Sequence, residues 1–360
     1  MTETTAPENS TPDNEAKKSS VRGPRRRGRG RGRNTNSADK AWSADQFVVE
    51  VQEGKARFHD FDLPLPLLQA IQTAGFSYAT PIQGASLPHT LRGHDMVGKA
   101  QTGTGKTAAF ALPILQKLQN DESKRRRVRA LILVPTRELA SQVGDSFRSY
   151  GNNLRFRTST LYGGVSIRTQ IDKLKKGVDI VVATPGRLLD HLDKKTLDLS
   201  ELEVFVLDEA DRMLDMGFIR DIKKVLKYLP EKKQNLLFSA TFPKEIQTLA
   251  NNLLNSPKKI QVAASNSTAD KVIQVIYPVD KSRKRELLAH CIKEEGWFQV
   301  LVFSRTKHGA NKLASQLNKV GIDANAFHGN KSQSQRTRAL KDFKDAKTQV
   351  LVATDIAARG

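Results

Sequence analysis

The sequence predicts an α/β protein with two doubly wound parallel-sheet domains in tandem, the second incomplete, behind a disordered basic N-terminal tail. Three observations carry this expectation. The apolar runs 130–134, 179–183, 204–207 and 235–238 do not alternate with polar residues, the pattern of strands covered on both faces. Helical patterns separate them, which makes the sheet parallel. After a stretch at 256–270 rich in Ser, Asn, Lys and Pro, the strand–helix rhythm starts again.

In chain order, residues 1–40 hold little that is apolar and carry the block Arg22-Gly23-Pro24-Arg25-Arg26-Arg27-Gly28-Arg29-Gly30-Arg31-Gly32-Arg33. Like charges repel, and Gly and Pro resist helix, so a disordered tail is expected there. Residues 41–57 read as a short connecting segment and 58–258 as the first domain. A linker is expected at 259–270 and a partial second domain at 271–360. In that second domain strands are expected at 272–279, 299–303, 322–327 and 349–353, with helices at 283–295, 307–320 and 332–344. Its sheet should be open and partly uncovered.

A length of 360 residues with 38% hydrophobic residues supports cores for about two domains. No apolar run approaches the ~20 residues that span a bilayer, and the N-terminus has no apolar leader, so a cytoplasmic protein without a membrane partner is expected. The single cysteine, Cys291, excludes an intrachain disulfide and reads as a buried, inert thiol. The seven histidines show no metal-ligand spacing and read as structural. The net charge of +21 points to a polyanionic partner, and the arginine/glycine block to an arm that grips phosphates without reading sequence. The plainer alternative is a solubilising tail; nuclear import is a further reading of the same block.

The residues that carry chemistry begin at Ala100-Gln101-Thr102-Gly103-Thr104-Gly105-Lys106-Thr107, between an apolar stretch and a helical pattern. Small residues let backbone N–H groups turn around phosphates, Lys106 adds a positive charge for the β/γ oxygens, and the Thr107 hydroxyl can ligate Mg²⁺. Such loops usually begin with Gly, where this chain has Ala100. A second apolar strand ends at Asp208-Glu209-Ala210-Asp211, where Asp208 supplies the other hold on Mg²⁺. Together they describe a nucleoside triphosphatase that uses Mg²⁺, with Lys106 and Asp208 as catalytic candidates.

Further segments stand in a definite order: Gly75-Phe76-Ser77-Tyr78-Ala79-Thr80-Pro81-Ile82-Gln83, Pro135-Thr136-Arg137-Glu138-Leu139-Ala140, Gly163-Gly164, Thr184-Pro185-Gly186-Arg187, Ser239-Ala240-Thr241, Val302-Phe303-Ser304-Arg305, Gln333 to Arg336, and Ala353-Thr354-Asp355 onward. On these motifs the chain resembles the DEAD-box family of ATP-dependent RNA helicases, and residues 303–329 look most like its bacterial RhlE branch. The resemblance implies two RecA-like domains that hydrolyse ATP to separate short RNA duplexes or remodel ribonucleoproteins. Gln83 would read adenine through its amide, Phe58 would stack on the base, and Thr80-Pro81 would aim Gln83. Asp355 would face the nucleotide from the second domain. Glu209 would position and deprotonate the attacking water, while Asp211, Ser239, Ala240 and Thr241 would couple the nucleotide site to strand separation.

Pro135, Thr136, Arg137, Gly163, Gly164, Thr184, Pro185, Gly186, Arg187, Arg305, Gln333, Arg336 and Thr354 align with family positions that line a sequence-independent track for single-stranded RNA. Ribosomal or RNA-decay proteins are compatible partners, and a monomer is expected. The family continues past the position of Gly360 to an arginine-rich motif that reaches the γ-phosphate, so weak turnover is expected of the 360 residues. The alternatives are a non-catalytic RNA-binding or annealing module and, more weakly, a DNA helicase.

Overall fold

The computed structural model describes residues 42–119, 126–262 and 273–354. Among these, seven parallel strands form one sheet in the order β3 (Thr158–Leu161), β4 (Ile180–Ala183), β2 (Ala130–Leu133), β5 (Val204–Leu207), β6 (Gln234–Ser239), β1 (Met96–Lys99) and β7 (Lys258–Gln261). Its helices are α1 (Leu65–Thr73), α2 (Pro81–Thr90), α3 (Lys106–Gln119), α4 (Arg137–Tyr150), α5 (Ile167–Lys175), α6 (Pro185–Asp193), α7 (Ala210–Asp215), α8 (Ile219–Leu226) and α9 (Lys244–Leu253). The unalternating runs have a direct reason. In β2, Ala130 and Ile132 join one apolar layer while Leu131 and Leu133 join the layer on the opposite face. Over β2, β4 and β5 both faces of the sheet are dry, and every position of these three strands is apolar.

The second unit of the α/β pattern runs α10 (Lys284–Glu294), β8 (Val300–Ser304), α11 (Lys307–Lys319), β9 (Ala324–Phe327), α12 (Gln333–Lys344) and β10 (Val350–Thr354). Its three described strands are parallel in the order β8-β10-β9. The helix starts follow local chemistry. The Thr306 hydroxyl accepts the Gly309 N–H at 2.9 Å ahead of α11, and Ser332 and Gln335 cap α12 reciprocally. One sheet face is covered only in part: α12 packs Leu340 and Phe343 on Phe327, Leu351 and Ala353, while Leu301 and Phe303 of β8 stay exposed. Cys291 is buried in α10, as expected. Among the described residues no helix is long and apolar enough to cross a membrane.

Three expectations need correction. Residues 258–261, placed at and beyond the first domain's end, form its edge strand β7 against β1, and Val262 N–H still reaches Lys99 O at 3.2 Å. The reason for the miss is that an edge strand buries little, and in Lys258-Lys259-Ile260-Gln261 only Ile260 packs on the core. The expected strand at 272–279 does not form over its described part, 273–279. Its apolar side chains Ile273, Val275 and Ile276 face outward, and β propensity without a pairing partner makes no strand. Residues 42–57 are more than a connector: Trp42 Nε1 donates to Gln72 Oε1 at 2.8 Å, Gln72 Nε2 to Gln46 O at 2.8 Å, and Tyr78 Oη to Glu50 O at 2.8 Å. The tail at 1–40 and the linker beyond residue 262 lie outside the described residues.

Candidate functional site

The C-terminal ends of β1, β5 and β6 carry the site, where an open parallel sheet presents its crevice. The loop from Ala100 to Gly105 leaves β1 and enters α3 at Lys106. Ala100 donates its N–H to Ser239 O at 3.1 Å, and its φ is not positive, so the methyl that departs from the usual glycine costs nothing. Gly105 is different. Its φ is +92°, and a Cβ there would meet Gln83 Nε2 at 2.6 Å and Thr80 Oγ1 at 2.8 Å.

Lys106 is buried with its Nζ 3.2 Å from Ala100 O and 3.8 Å from Asp208 Oδ1. Burial, opposed by Lys106, pushes the Asp208 carboxyl up to about 6. Thr107, the residue after Lys106, and Asp208 are the oxygen donors expected to hold Mg²⁺. Next in the chain, Glu209 sits in the left-handed region at φ 54°, ψ 51°, a conformation that costs a non-glycine residue about 1–2 kcal/mol. That turn presents both carboxylate oxygens to partners. Thr102 Oγ1 donates to Oε1 at 2.9 Å and Arg212 Nη1 to Oε2 at 2.5 Å.

Gln83 also differs from the simple expectation. Its Oε1 accepts the Thr80 N–H at 2.9 Å and its Nε2 donates to Gly105 O at 3.0 Å, so the amide braces the phosphate loop. The Thr80 hydroxyl beside it is buried without a hydrogen-bond partner. Phe58, expected against a base, is fully buried in the first core and meets Phe61 edge-on at 6.5 Å. It presents no accessible face, so in this structure it is a core aromatic. Asp355 lies outside the described residues.

The expected coupling group is assembled. Asp211 Oδ2 accepts from Thr241 N at 2.8 Å and from Thr241 Oγ1 at 2.9 Å. Ser239 Oγ accepts the Asp211 N–H at 3.1 Å and donates to Thr241 O at 2.7 Å. Ala240 lies between them. Burial pushes the Asp211 carboxyl up, but the hydrogen bonds, led by Thr241, outweigh it and hold the group below its ordinary value.

The residues expected along a nucleic-acid track gather at the ends of β2, β3 and β4. Pro135 is buried, Thr136 caps α4 through the Leu139 N–H, and Arg137 begins the helix. The Arg137 guanidinium fills the space a side chain at Gly164 would need, 1.9 Å from the Cβ position. Burial first, then the charges of Arg336 and Arg187, lowers the pKa of Arg137. Thr184 and Pro185 are buried at the start of α6, Gly186 is exposed, and Arg187 Nη2 donates to Val165 O at 3.1 Å. Arg187 Nη1 and Arg336 Nε are buried without hydrogen-bond partners, a shortage that an anion relieves.

Glu138 received no role from the sequence, yet it accepts from Arg336 at 2.8 Å and from Gln333 Nε2 at 3.0 Å. It shares a cleft with Gln333, Thr102, Glu209 and Arg212, which brings phosphate-loop and arginine-track residues to one opening. Arg305 is exposed after β8 and Thr354 is buried at the end of β10, neither drawn into this cluster. Arg212 was the other omission; its place after Asp211, one helical turn from Glu209, was the available signal.

Two family descriptions match the chain: "DEAD/DEAH box helicase" over residues 80–249 and "Helicase conserved C-terminal domain" over 283–360. Among curated relatives, the DEAD-box ATP-dependent RNA helicase CshA of Bacillus cereus is 44% identical over 303 residues, covering 84% of this chain and 57% of that protein. The ATP-dependent RNA helicase CshA of Listeria monocytogenes is 42% identical, with 84% and 58% covered. The chain thus spans little more than half the length of these relatives. Both are of the CshA type, and the RhlE-like reading of residues 303–329 is an expectation from sequence that these relatives do not repeat. Of solved structures, a DEAD box protein from Methanococcus jannaschii is 40% identical with a TM-score of 0.55, covering 84% of this chain and 81% of that one. Saccharomyces cerevisiae Dbp5 bound to RNA and ADP BeF3 is 28% identical with a TM-score of 0.71, covering 84% and 77%.

Proposed function

We infer from the family to which this chain belongs, the DEAD-box helicases, that it hydrolyses ATP and uses the cycle to separate short RNA duplexes or remodel ribonucleoproteins. The observation that carries the reading is the meeting of Lys106 with Asp208, 3.8 Å apart and buried, beside a Glu209 held by the phosphate loop. In this reading Lys106 leaves Ala100 O and takes the β/γ oxygens of ATP, and Gln83 turns its amide toward adenine. Asp208 and Thr107 would hold Mg²⁺, which neutralises phosphate charge when bound. Glu209, once released by Thr102, accepts the proton of the attacking water, and Arg212 keeps its second oxygen in place. The Asp211–Ser239–Thr241 group carries the state of this site to the RNA track.

That track is Arg137, Gly163, Gly164, Thr184, Gly186, Arg187, Gln333 and Arg336, with Arg305 and Thr354 joining from the second sheet. Supporting it are the orphaned nitrogens of Arg187 and Arg336 and the crowding of three guanidinium groups. Such contacts hold phosphates and ribose without reading bases, so binding is sequence-independent. We place the protein in the cytoplasm, acting as a monomer on RNA.

RNA-stimulated phosphate release tests the reading. Glu209→Gln keeps shape and hydrogen bonding, so Mg-ATP should still bind while hydrolysis falls about 10²- to 10⁴-fold. Since weak turnover is expected of the 360 residues, both are measured in a chain extended through the family's arginine-rich motif, and absence of RNA stimulation there would return the non-catalytic binding module to first place.

A further inference from the structure

One buried polar chain lies outside the machinery described so far. His191, fully buried in α6, places Nδ1 2.9 Å from Thr196 Oγ1 and Nε2 3.2 Å from Gln170 Oε1. Gln170, buried in α5, donates from Nε2 to the carbonyl of Tyr162 at 3.0 Å. The directions at Gln170 are forced, whereas the Thr196 hydroxyl has two acceptors in reach, His191 Nδ1 and the His191 carbonyl at 3.1 Å. An amide that donates to Tyr162 O turns its oxygen to His191, so the imidazole must carry its proton on Nε2. Burial first, then the Arg187 charge, lowers the His191 pKa and favours this neutral form.

The chain ends on a loop, not on another helix. Tyr162 immediately precedes Gly163-Gly164, and the far side of that turn is held by Arg187 Nη2 on Val165 O at 3.1 Å. Gly164 has φ +78°, with Arg137 packed where a side chain would stand. Helix α6 therefore reaches the turn twice: from its first turn through Arg187, and from its second through His191 and Gln170.

We propose that Gln170 and His191 are positioning residues for the RNA track, a buried relay from Thr196 to Tyr162 O that fixes the Gly163-Gly164 turn beside Arg137 and Arg187. The inference rests on the RNA reading of that turn. Neither residue touches RNA in it; they set where the turn's backbone stands. Loss of one neutral hydrogen bond should weaken RNA binding between about 2-fold and 10-fold.

The test uses Gln170→Met and His191→Leu, which remove the relay, and His191→Gln, which keeps a donor toward Gln170. Fluorescence anisotropy on a single-stranded oligouridine, Mg-ATP titration and hydrogen exchange of residues 162–166 against 100–107 are the readouts. Removal should weaken RNA binding by that factor, quicken exchange only at 162–166 and leave ATP affinity within about twofold, while His191→Gln stays near the parent. If Gln170→Met melts early yet binds oligouridine like the parent, the pair is only structural and the proposal falls. If it does not fold, the comparison of His191→Gln with His191→Leu decides, and equal affinities overturn the proposal. A parent protein that binds no oligouridine overturns the RNA reading itself, and this inference with it.

Discussion

Thr102 donates its hydroxyl to Oε1 of Glu209 at 2.9 Å, tying the phosphate loop to the carboxylate proposed as the base. With Arg212 on Oε2, each oxygen of Glu209 already accepts one hydrogen bond, and the Thr102 tie competes with a water for Oε1. ATP would have to break this tie on entry. Thr102→Val should therefore leave ATP affinity unchanged or tighten it by a few fold, on the order of one hydrogen bond. Calorimetric titration with Mg-ATP reads it. A fivefold weakening, or so, would make Thr102 a phosphate ligand and the tie incidental.

Gln83 braces Gly105 and Thr80 and is also proposed to turn toward adenine, so its removal should act twice. Gln83→Ala should lower folding stability by about 1–2 kcal/mol and reduce the preference for ATP over GTP. Lys106→Ala should weaken both nucleotides alike, because it meets only phosphates. Titration with each nucleotide separates these. An intact ATP preference in Gln83→Ala would leave Gln83 a strut with no part in base choice.

Burial raises the Asp208 carboxyl from its ordinary 3.8 to about 6. Between those values the folded chain holds a proton that the unfolded chain has released. The contribution of this group to stability is thus full below about pH 3.8 and is lost as pH rises through 6. In metal-free protein, Asp208→Asn should gain on the parent by roughly 1 kcal/mol between pH 5 and 7. Urea unfolding with a chelator present measures it, and parallel stability curves would refute the burial argument.

The central strands β2, β4 and β5 were legible because two dry faces leave them no position for a polar residue, as Ala130 to Leu133 illustrate. The phosphate loop and Asp208 were legible because their chemistry is written in adjacent residues. Lys258–Gln261 was not, since an edge strand needs only Ile260 inward. Phe58 was misplaced because a residue's position in a motif says nothing of which way its ring packs. Engagements such as Thr102 with Glu209 or Gln170 with His191 join residues far apart in sequence, and no local pattern announces them.

The arginine/glycine block at 22–33 lies outside the described residues, so its expected role rests on charge alone. Each phosphate neutralised on a single strand contributes about −0.7 to the slope of log affinity against log salt. Four or five contacts make roughly −3. Deleting residues 1–40 should flatten the slope by about that amount, leave ATP binding intact and weaken unrelated RNAs equally. An unchanged slope in an anisotropy salt titration would reduce the block to a solubilising tail.

Asp211 holds Thr241 through the backbone N–H and the hydroxyl at once, both on Oδ2, while its own N–H rests on Ser239. Three residues from two strand ends thus move as a group. Asp211→Asn keeps one oxygen for the two Thr241 donors but must set its NH₂ against the Arg212 N–H that Oδ1 now accepts at 3.1 Å, so the group should come apart with little change in volume. Hydrogen bonds to a charged partner are worth about 1.5–3 kcal/mol, which corresponds to roughly 10- to 100-fold. The expected loss is of that size in RNA-stimulated hydrolysis, with Mg-ATP affinity within about threefold, because Lys106 and Asp208 are untouched. Thr241→Ala should cost less. Combined with Asp211→Asn it should add almost nothing, since the partner is already lost. Additive losses in that double-mutant cycle would mean that Asp211 and Thr241 act separately, with Asp211 serving only the start of α7.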